Sequence, residues 1–324
     1  MKCCDICGTY NFKENNYCTH CGNSLTILNV CPYCGETNPD GVSFCIKCKK
    51  QIKPVTICDF DTLFNEFNEE LLLNAEIGDE TYHEILSNIF RRAEFSEIHG
   101  NTVKDKILNL ASIFTVCRTK SRGYERGFNL GDTIYYDDRL DDSVQIATII
   151  HELAHYLLFA IVDEFLCTIF DVYTSTTLQS FVWYFLILPD ISIMNEYCAH
   201  TVEGRFIPYG YQNYASFNNS VENTDIDDET LNKMVVLGNS FANEIIVFLE
   251  KYIDEKLRED IKLQYKKDLK SPKYTSIMLE TDVSLPLSVK NSFFIKKLCE
   301  TFIQASNEDT RKELEFIKEG LEKE

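Results

Sequence analysis

Four Cys-x-x-Cys pairs occupy the first 48 residues and restrict what this part of the chain can fold into. Each cysteine of the second two pairs lies 27 positions after its counterpart in the first two. A unit of about 25 residues cannot build a sufficient hydrophobic core, so bound metal has to supply its folding energy. Two closed tetrahedral zinc sites are therefore predicted. Their ligands would be Cys4, Cys7, Cys18 and Cys21 in one site, and Cys31, Cys34, Cys45 and Cys48 in the other.

The same 27-residue repeat relates Gly8 to Gly35 and Asn11 to Asn38, as two copies of one structural unit would show. The pattern resembles the double zinc ribbon family over residues 1–50. This resemblance implies two structural zinc ions and a module that docks onto a protein or a nucleic acid. Residues 51–57 are expected to form a short linker.

The charge distribution favours a protein partner over a nucleic acid. The chain has 324 residues and a formal net charge of -19. Residues 1–57 contain six lysines and four acidic residues, a net charge of +2, which leaves -21 for the remainder. A strongly acidic chain is repelled by phosphate backbones. A nucleic-acid partner is therefore not expected for the chain as a whole.

Cysteine usage and hydropathy indicate the compartment. Nine of the 14 cysteines lie within the first 48 residues, mostly in metal-type pairs, which is typical of a reducing environment. The most apolar block is residues 181–188, whereas a membrane span needs about 20 residues. With no apolar leader visible at the N-terminus, a cytoplasmic protein without membrane contact is expected.

A second motif, His151-Glu152-Leu153-Ala154-His155, lies within a predicted amphipathic helix. Two imidazoles four residues apart project from one helix face and can bind one zinc ion. Glu152 is placed to accept the proton of a zinc-bound water that attacks a peptide carbonyl. The alternative interpretation is a chance match, at odds on the order of one in a hundred for a chain of this length.

The motif and the predicted strand before it resemble the zincin metallopeptidases. Metzincins carry Gly and His where this chain has Leu158 and Ile161, so that subfamily does not fit. The segment from Asn195 to His200 is similar to the Glu-x-x-Ala stretch of minimal gluzincins. The resemblance implies Glu196 as the third zinc ligand, and His200 and Glu203 are its rivals.

Several further residues near the motif are open to two interpretations. His200 is predicted as a catalytic donor to the oxyanion, with a surface or outer-shell position as the alternative. Tyr209, Tyr211 and Tyr214 are candidates to supply a phenol to the transition state, although aromatic packing is the simpler explanation. Asp163 is expected to be a solvated or helix-dipole charge. The forty residues between His155 and Glu196 predict an inserted apolar hairpin of helices.

The expected fold is α+β and mainly helical. It has a zincin-like metallopeptidase core with a small sheet, preceded by two small zinc ribbons. Helices are predicted over 62–74, 79–98 and 103–117, and a loop or hairpin over 121–131. The predicted domains are a double zinc ribbon at 1–50, a linker at 51–57, a metallopeptidase domain at 58–215 and a helical C-terminal extension at 216–324.

The function predicted from the sequence is a soluble zinc metallopeptidase that hydrolyses peptide bonds of a protein or peptide substrate. It would hold one catalytic and two structural zinc ions, with the ribbons as docking module. Two alternatives stay open. One is a non-catalytic zinc-binding regulatory or adaptor protein, and the other is a ribbon-led nucleic-acid-associated factor.

Overall fold

The structure is a computed structural model, and its residues fall into two units. It describes residues 2–3, 10–11, 19–20, 29–31, 34–38, 45–49, 55–67, 69–74, 79–91, 93, 96–120, 123, 125–269, 271–285 and 293–323. The first unit comprises Met1–Ile57 and Asp171–Tyr173, and the second comprises Cys58–Phe170 and Thr174–Glu324. The domain boundary predicted between residues 215 and 216 lies inside the second unit.

Short strand pairs characterise the described part of the first unit. β1 (Lys2–Cys3) pairs antiparallel with β2 (Tyr10–Asn11), and β3 (Asn29–Val30) pairs antiparallel with β4 (Thr37–Asn38). Each residue of the second pair lies 27 positions after its counterpart, so the cysteine repeat extends to the backbone pairing. β5 (Val55–Thr56), in the predicted linker, pairs in parallel with β9 (Val172–Tyr173).

The second unit is mainly helical, with one small sheet among its described residues. Its helices are α1 (Phe60–Glu66), α2 (Glu69–Leu73), α3 (Asp79–Phe90), α4 (Val103–Phe114), α5 (Asp142–Phe170), α6 (Thr176–Ile187), α7 (Pro189–Phe206), α8 (Ala215–Glu222), α9 (Asp228–Leu249), α10 (Glu255–Asp268), α11 (Phe293–Ala305) and α12 (Glu308–Lys323). The helix predicted over 62–74 is divided, because Phe67 takes an extended conformation and packs its ring 4.8 Å from that of Phe170.

The sheet has three strands, ordered β6-β8-β7. β6 (Val116–Thr119) runs parallel to the central β8 (Thr133–Tyr136), and β7 (Gly127–Leu130) runs antiparallel to it. β7 and β8 form the hairpin that the glycine-rich segment predicted, and Gly131 in its turn has a φ of 56°. β7 is therefore an edge strand, and its outer side is not paired with another described strand.

The helix that carries the His-Glu-Leu-Ala-His motif is α5, the centre of the second unit's core. At 29 residues it is about 44 Å long. It packs against α3, α4, α6, α7, α9 and α10 and against β7 and β8. The expectation that Asp163 is solvated is wrong, because its side chain is on this enclosed helix and is 7% exposed.

α5 is also long and apolar enough to cross a membrane by length and composition alone. However, 67% of its most apolar window is buried inside the protein, which is what the core helix of a soluble protein shows. The cytoplasmic location stays a prediction.

The forty residues between His155 and Glu196 are mostly helical, interrupted by β9. They comprise the last four turns of α5, the whole of α6 and the start of α7. α6 and α7 meet at an angle of 88°, and Leu188 is the single residue between them. Pro189 occupies the first position of α7, where a missing backbone N–H costs nothing. The bend returns the chain to α5, against which α7 packs.

Candidate metal centre

Four cysteines of the second repeat come together in the first unit. The Sγ atoms of Cys31 and Cys48 are 3.5 Å apart, and those of Cys34 and Cys45 are 3.6 Å apart. Zinc bonds of about 2.3 Å to four tetrahedral thiolates place the sulfurs about 3.8 Å apart. The four side chains are therefore spaced to hold one structural zinc ion. The first repeat's ligands, Cys4, Cys7, Cys18 and Cys21, lie outside the described residues.

Backbone geometry supports this cysteine cluster. Gly35 has a φ of 70°, in the left-handed region, and its N–H donates to the carbonyl of Cys31 at 2.9 Å. The N–H groups of Lys47 and Cys48 point at Cys45 Sγ, at 3.4 and 3.5 Å. Such donors stabilise a thiolate, which is the form that binds metal.

The two histidines of α5 converge in the second unit. Their rings are nearly perpendicular, and the Nε2 atoms of His151 and His155 are 3.1 Å apart. The Nδ1 of His151 lies 3.1 Å from Glu203 Oε2, and the Nδ1 of His155 lies 2.7 Å from Asn195 Oδ1. Because both oxygens accept hydrogen bonds, each Nδ1 carries a proton, and the two Nε2 atoms face each other. Two ring nitrogens at this distance need a proton or a metal cation between them. Burial acts against a charge on His151, but the carboxylates of Glu196 and Glu203 raise its pKa well above the usual value, so the site attracts a cation.

Glu196 on α7 completes a triangle with these two nitrogens. Its Oε2 is 3.6 Å from His151 Nε2, and its Oε1 is 3.7 Å from His155 Nε2. Tetrahedral zinc with bonds of about 2.0–2.1 Å separates its ligand atoms by about 3.4 Å. The donor chemistry and spacing of the three residues therefore fit a zinc ion. Burial opposes ionisation, but the neighbouring histidines outweigh it and hold the pKa of Glu196 well below its usual range.

Histidine 200 also lies beside Glu196, and on distance alone His151, Glu196 and His200 could hold a metal too. Its Nε2 is 3.7 Å from Glu196 Oε2. The same nitrogen is 2.6 Å from Ser216 Oγ, whose hydroxyl donates to Glu196 Oε2 at 2.6 Å. Since a serine has one proton and gives it to the carboxylate, His200 Nε2 must donate to Ser216. That nitrogen then has no lone pair for a metal, so His155 fits the third position better.

Glu203 lies on the outer side of the histidines. Its Oε2 contacts the Nδ1 atoms of both His151 and His200, at 3.1 and 3.3 Å. Burial acts against ionisation, but the hydrogen bond from His151 and the adjacent His200 ring hold the pKa of Glu203 at about 2. Glu203 contacts the ring atom of His151 that points away from Glu196. An orienting role thus suits it better than a ligand role.

The predicted proton-handling residue, Glu152, lines the same cavity and is 8% exposed. Burial raises the pKa of Glu152, and the nearby imidazoles partly offset that effect. Neighbouring β7 packs so closely on α5 that a Cβ on Gly127 would lie 2.4 Å from Thr148 Cγ2. Glycine at this position allows the edge strand to run beside the motif helix.

The cavity around these groups has a volume of about 560 Å³. Its polar side carries the histidines and carboxylates, and β7 borders it through residues 127–129. Of the three candidate tyrosines, Tyr209 is 88% exposed, Tyr211 packs on Tyr265 and Tyr214 packs on His200. None of the three is a lining residue of the cavity, so their contacts are those of aromatic packing.

Sequence reasoning did not identify the roles of two residues here. Asn195 was seen only as part of the Glu196 segment, yet it holds His155 in place. Ser216, which links His200 to Glu196, lies in α8 and carries no motif that could have signalled it.

Comparison with known proteins assigns only the N-terminal segment. No curated protein and no solved structure matches the chain. The family model of the double zinc ribbon matches residues 4–49. This match covers all eight predicted cysteine ligands and confirms the resemblance derived from their spacing. The N-terminal part of the chain is a double zinc ribbon with structural zinc.

Proposed function

We propose that the second unit is a zinc-dependent metallopeptidase. His151, His155 and Glu196 would hold the metal, and Glu152 would handle the proton. The observation that carries this proposal is the convergence of two imidazole Nε2 atoms, 3.1 Å apart, whose Nδ1 atoms are both tied to acceptors. Outer acceptors of this kind are typical of metal-binding histidines, because they fix the tautomer and the ring orientation.

A zinc ion with three protein ligands supplies a Lewis acid that keeps one position for water and lowers the pKa of that water. The chain's own residues supply positioning and proton transfer. Glu152 lies one residue from His151 and faces the cavity, where its carboxylate is placed to take a proton from water and return it to the leaving amine nitrogen. Ser216, donating to Glu196 and accepting from His200, holds the carboxylate ligand. A direct contact between His200 and substrate stays a prediction.

The edge strand supports a peptide as the substrate. β7 lines the cavity, and its outer side is free of any described strand. An extended peptide can add to such an edge through main-chain hydrogen bonds, which bring its carbonyl groups alongside the motif helix. A protein partner for the double zinc ribbon stays part of the proposal.

The test compares Glu152→Gln with the wild-type chain in zinc content and in hydrolysis of a fluorogenic peptide mixture. The wild type should hold about three zinc ions. Glu152→Gln should retain that content and lose about 10²- to 10⁴-fold in hydrolysis, because it removes the general base. Glu164→Gln, on the same helix but outside the cavity, is the matched control and should retain activity.

Metal content separates this proposal from the adaptor alternative. His151→Ala should hold about two zinc ions, those of the ribbons. An unchanged zinc count in His151→Ala would show that α5 binds no zinc. A wild type that holds three zinc ions but hydrolyses no peptide would be a non-catalytic zinc-binding protein.

A further inference from the structure

One wall of the cavity is apolar. It is built from Phe159 on α5 and from Trp183, Leu186 and Ile187 on α6. Phe159 follows His155 by four residues, so it lies one turn further along the same helix face. The Phe159 and Trp183 rings are 6.3 Å apart and nearly edge-to-face. The apolar wall therefore adjoins the metal ligands.

The part of this wall supplied by α6 is uniformly apolar. The charged residues that line the cavity belong to α5, to α7 and to the segment just before β7. Ile187 is 52% exposed although it borders the cavity, while Leu186 beside it is 4% exposed. Such a surface gains free energy when an apolar group displaces water from it.

We propose that the apolar wall is a specificity subsite for a large aliphatic or aromatic side chain next to the cleaved bond. This inference rests on the proposed peptidase function, since a peptide on β7 would place its side chains along the cavity. Acidic side chains would be disfavoured there, because the apolar wall offers a buried carboxylate no hydrogen-bond partner. The preferred substrates are thus peptides with Leu, Ile or Phe beside the scissile bond.

The chain offers a direct reporter for this subsite, because Trp183 is its single tryptophan. The zinc-loaded full-length Glu152→Gln variant would be titrated with peptides that differ only at one position, carrying Leu, Phe, Ala or Asp. We expect a saturable change in tryptophan emission. Binding of the Leu and Phe peptides should be about tenfold tighter than that of the Ala peptide, and binding of the Asp peptide weaker still.

Two matched substitutions locate the effect. Ile187→Lys, added to Glu152→Gln, places a charge on the wall and should abolish the preference for Leu and Phe over Ala. Ile303→Lys changes a helical isoleucine of similar exposure, 47%, that does not line the cavity, and should leave the preference intact. Equal affinity for all four peptides, or a preference that survives Ile187→Lys, would overturn the subsite.

Cleavage by the wild type, read by mass spectrometry on a mixed peptide library, separates this inference from the proposed function. Cleavage without preference for apolar residues would support the peptidase and refute the subsite. If apolar peptides bind Glu152→Gln preferentially but the wild type cleaves none, the peptidase is refuted and the cavity is an apolar peptide-binding site. If neither binding nor cleavage is observed, both the peptidase and the subsite are refuted.

Discussion

Replacing Asp163 by asparagine should relieve a pH-dependent loss of stability in the second unit. Asp163 Oδ2 accepts a hydrogen bond from Thr174 Oγ1 at 2.6 Å, and its Oδ1 is buried with no partner among the described residues. Burial raises the pKa of Asp163 to about 7; the Thr174 hydroxyl acts to lower it, and the charge of Glu164 adds to the rise. The folded chain therefore holds this proton to a higher pH than the unfolded chain.

The sign and the size follow from proton linkage. An unfolded aspartate has a pKa of about 3.9, so the protonated Asp163 stabilises the fold fully below that pH. This contribution is lost as the pH rises through about 7. A tenfold change in proton affinity corresponds to about 1.4 kcal/mol, and the gap between the two pKa values therefore amounts to about 4 kcal/mol above pH 7. Asparagine carries no charge and still offers Thr174 an acceptor.

The assay is urea unfolding of wild type and Asp163→Asn between pH 4 and pH 8, followed by the emission of Trp183 in the same unit. Other titrating groups contribute equally to both chains, so their effect cancels in the difference between the two free energies of unfolding. This difference should grow by about 4 kcal/mol in favour of asparagine from pH 4 to pH 8. Thr174→Val removes the hydrogen bond that lowers the pKa of Asp163, so its loss of stability should be larger than that of the wild type and should extend to higher pH. A difference that does not change with pH would refute a raised pKa for Asp163.

Three further predictions concern the metal sites and the edge strand. Glu203→Ala leaves His151 Nδ1 without its acceptor, so the third zinc should bind about 10- to 100-fold more weakly in a chelator competition; unchanged affinity would show that Glu203 does not orient the ring. Cys48→Ser should lower the total zinc content by about one ion, with the α5 site still loaded. Gly127→Ala should destabilise the second unit by about 1–3 kcal/mol in urea unfolding, because its Cβ would clash with Thr148. The control is Gly320→Ala on α12, where a Cβ meets nothing within 4 Å and stability should not fall.

The parts of the site that depend on local geometry could be predicted from the sequence. His151 and His155 share a helix face because residues four apart do so in any α-helix. The ribbon ligands followed from spacing alone, and the family match agrees. Glu196, in contrast, could be assigned only by resemblance to a family, because its place depends on how α7 returns to α5.

Other features could not be read from the sequence. Carboxylates at Glu196 and Glu203 lie two turns apart on one helix, and nothing local shows that one faces Nε2 and the other Nδ1. The C-terminal end of α5 could not be predicted from the sequence for a different reason. Beyond Leu157 the helix is almost entirely apolar apart from Asp163, Glu164 and Thr168, so the periodicity that marks a helix face disappears. Neighbouring helices surround this part of α5, and Asp163 is therefore buried.

The right-angled junction at Leu188 ties together two sides of the proposed centre. α6 carries the aromatic and aliphatic lining, α7 carries the carboxylate of Glu196, and one residue joins them. Because a single residue leaves little slack between the helices, we expect a tilt of α6 on accommodating a bulky side chain to displace Glu196 as well.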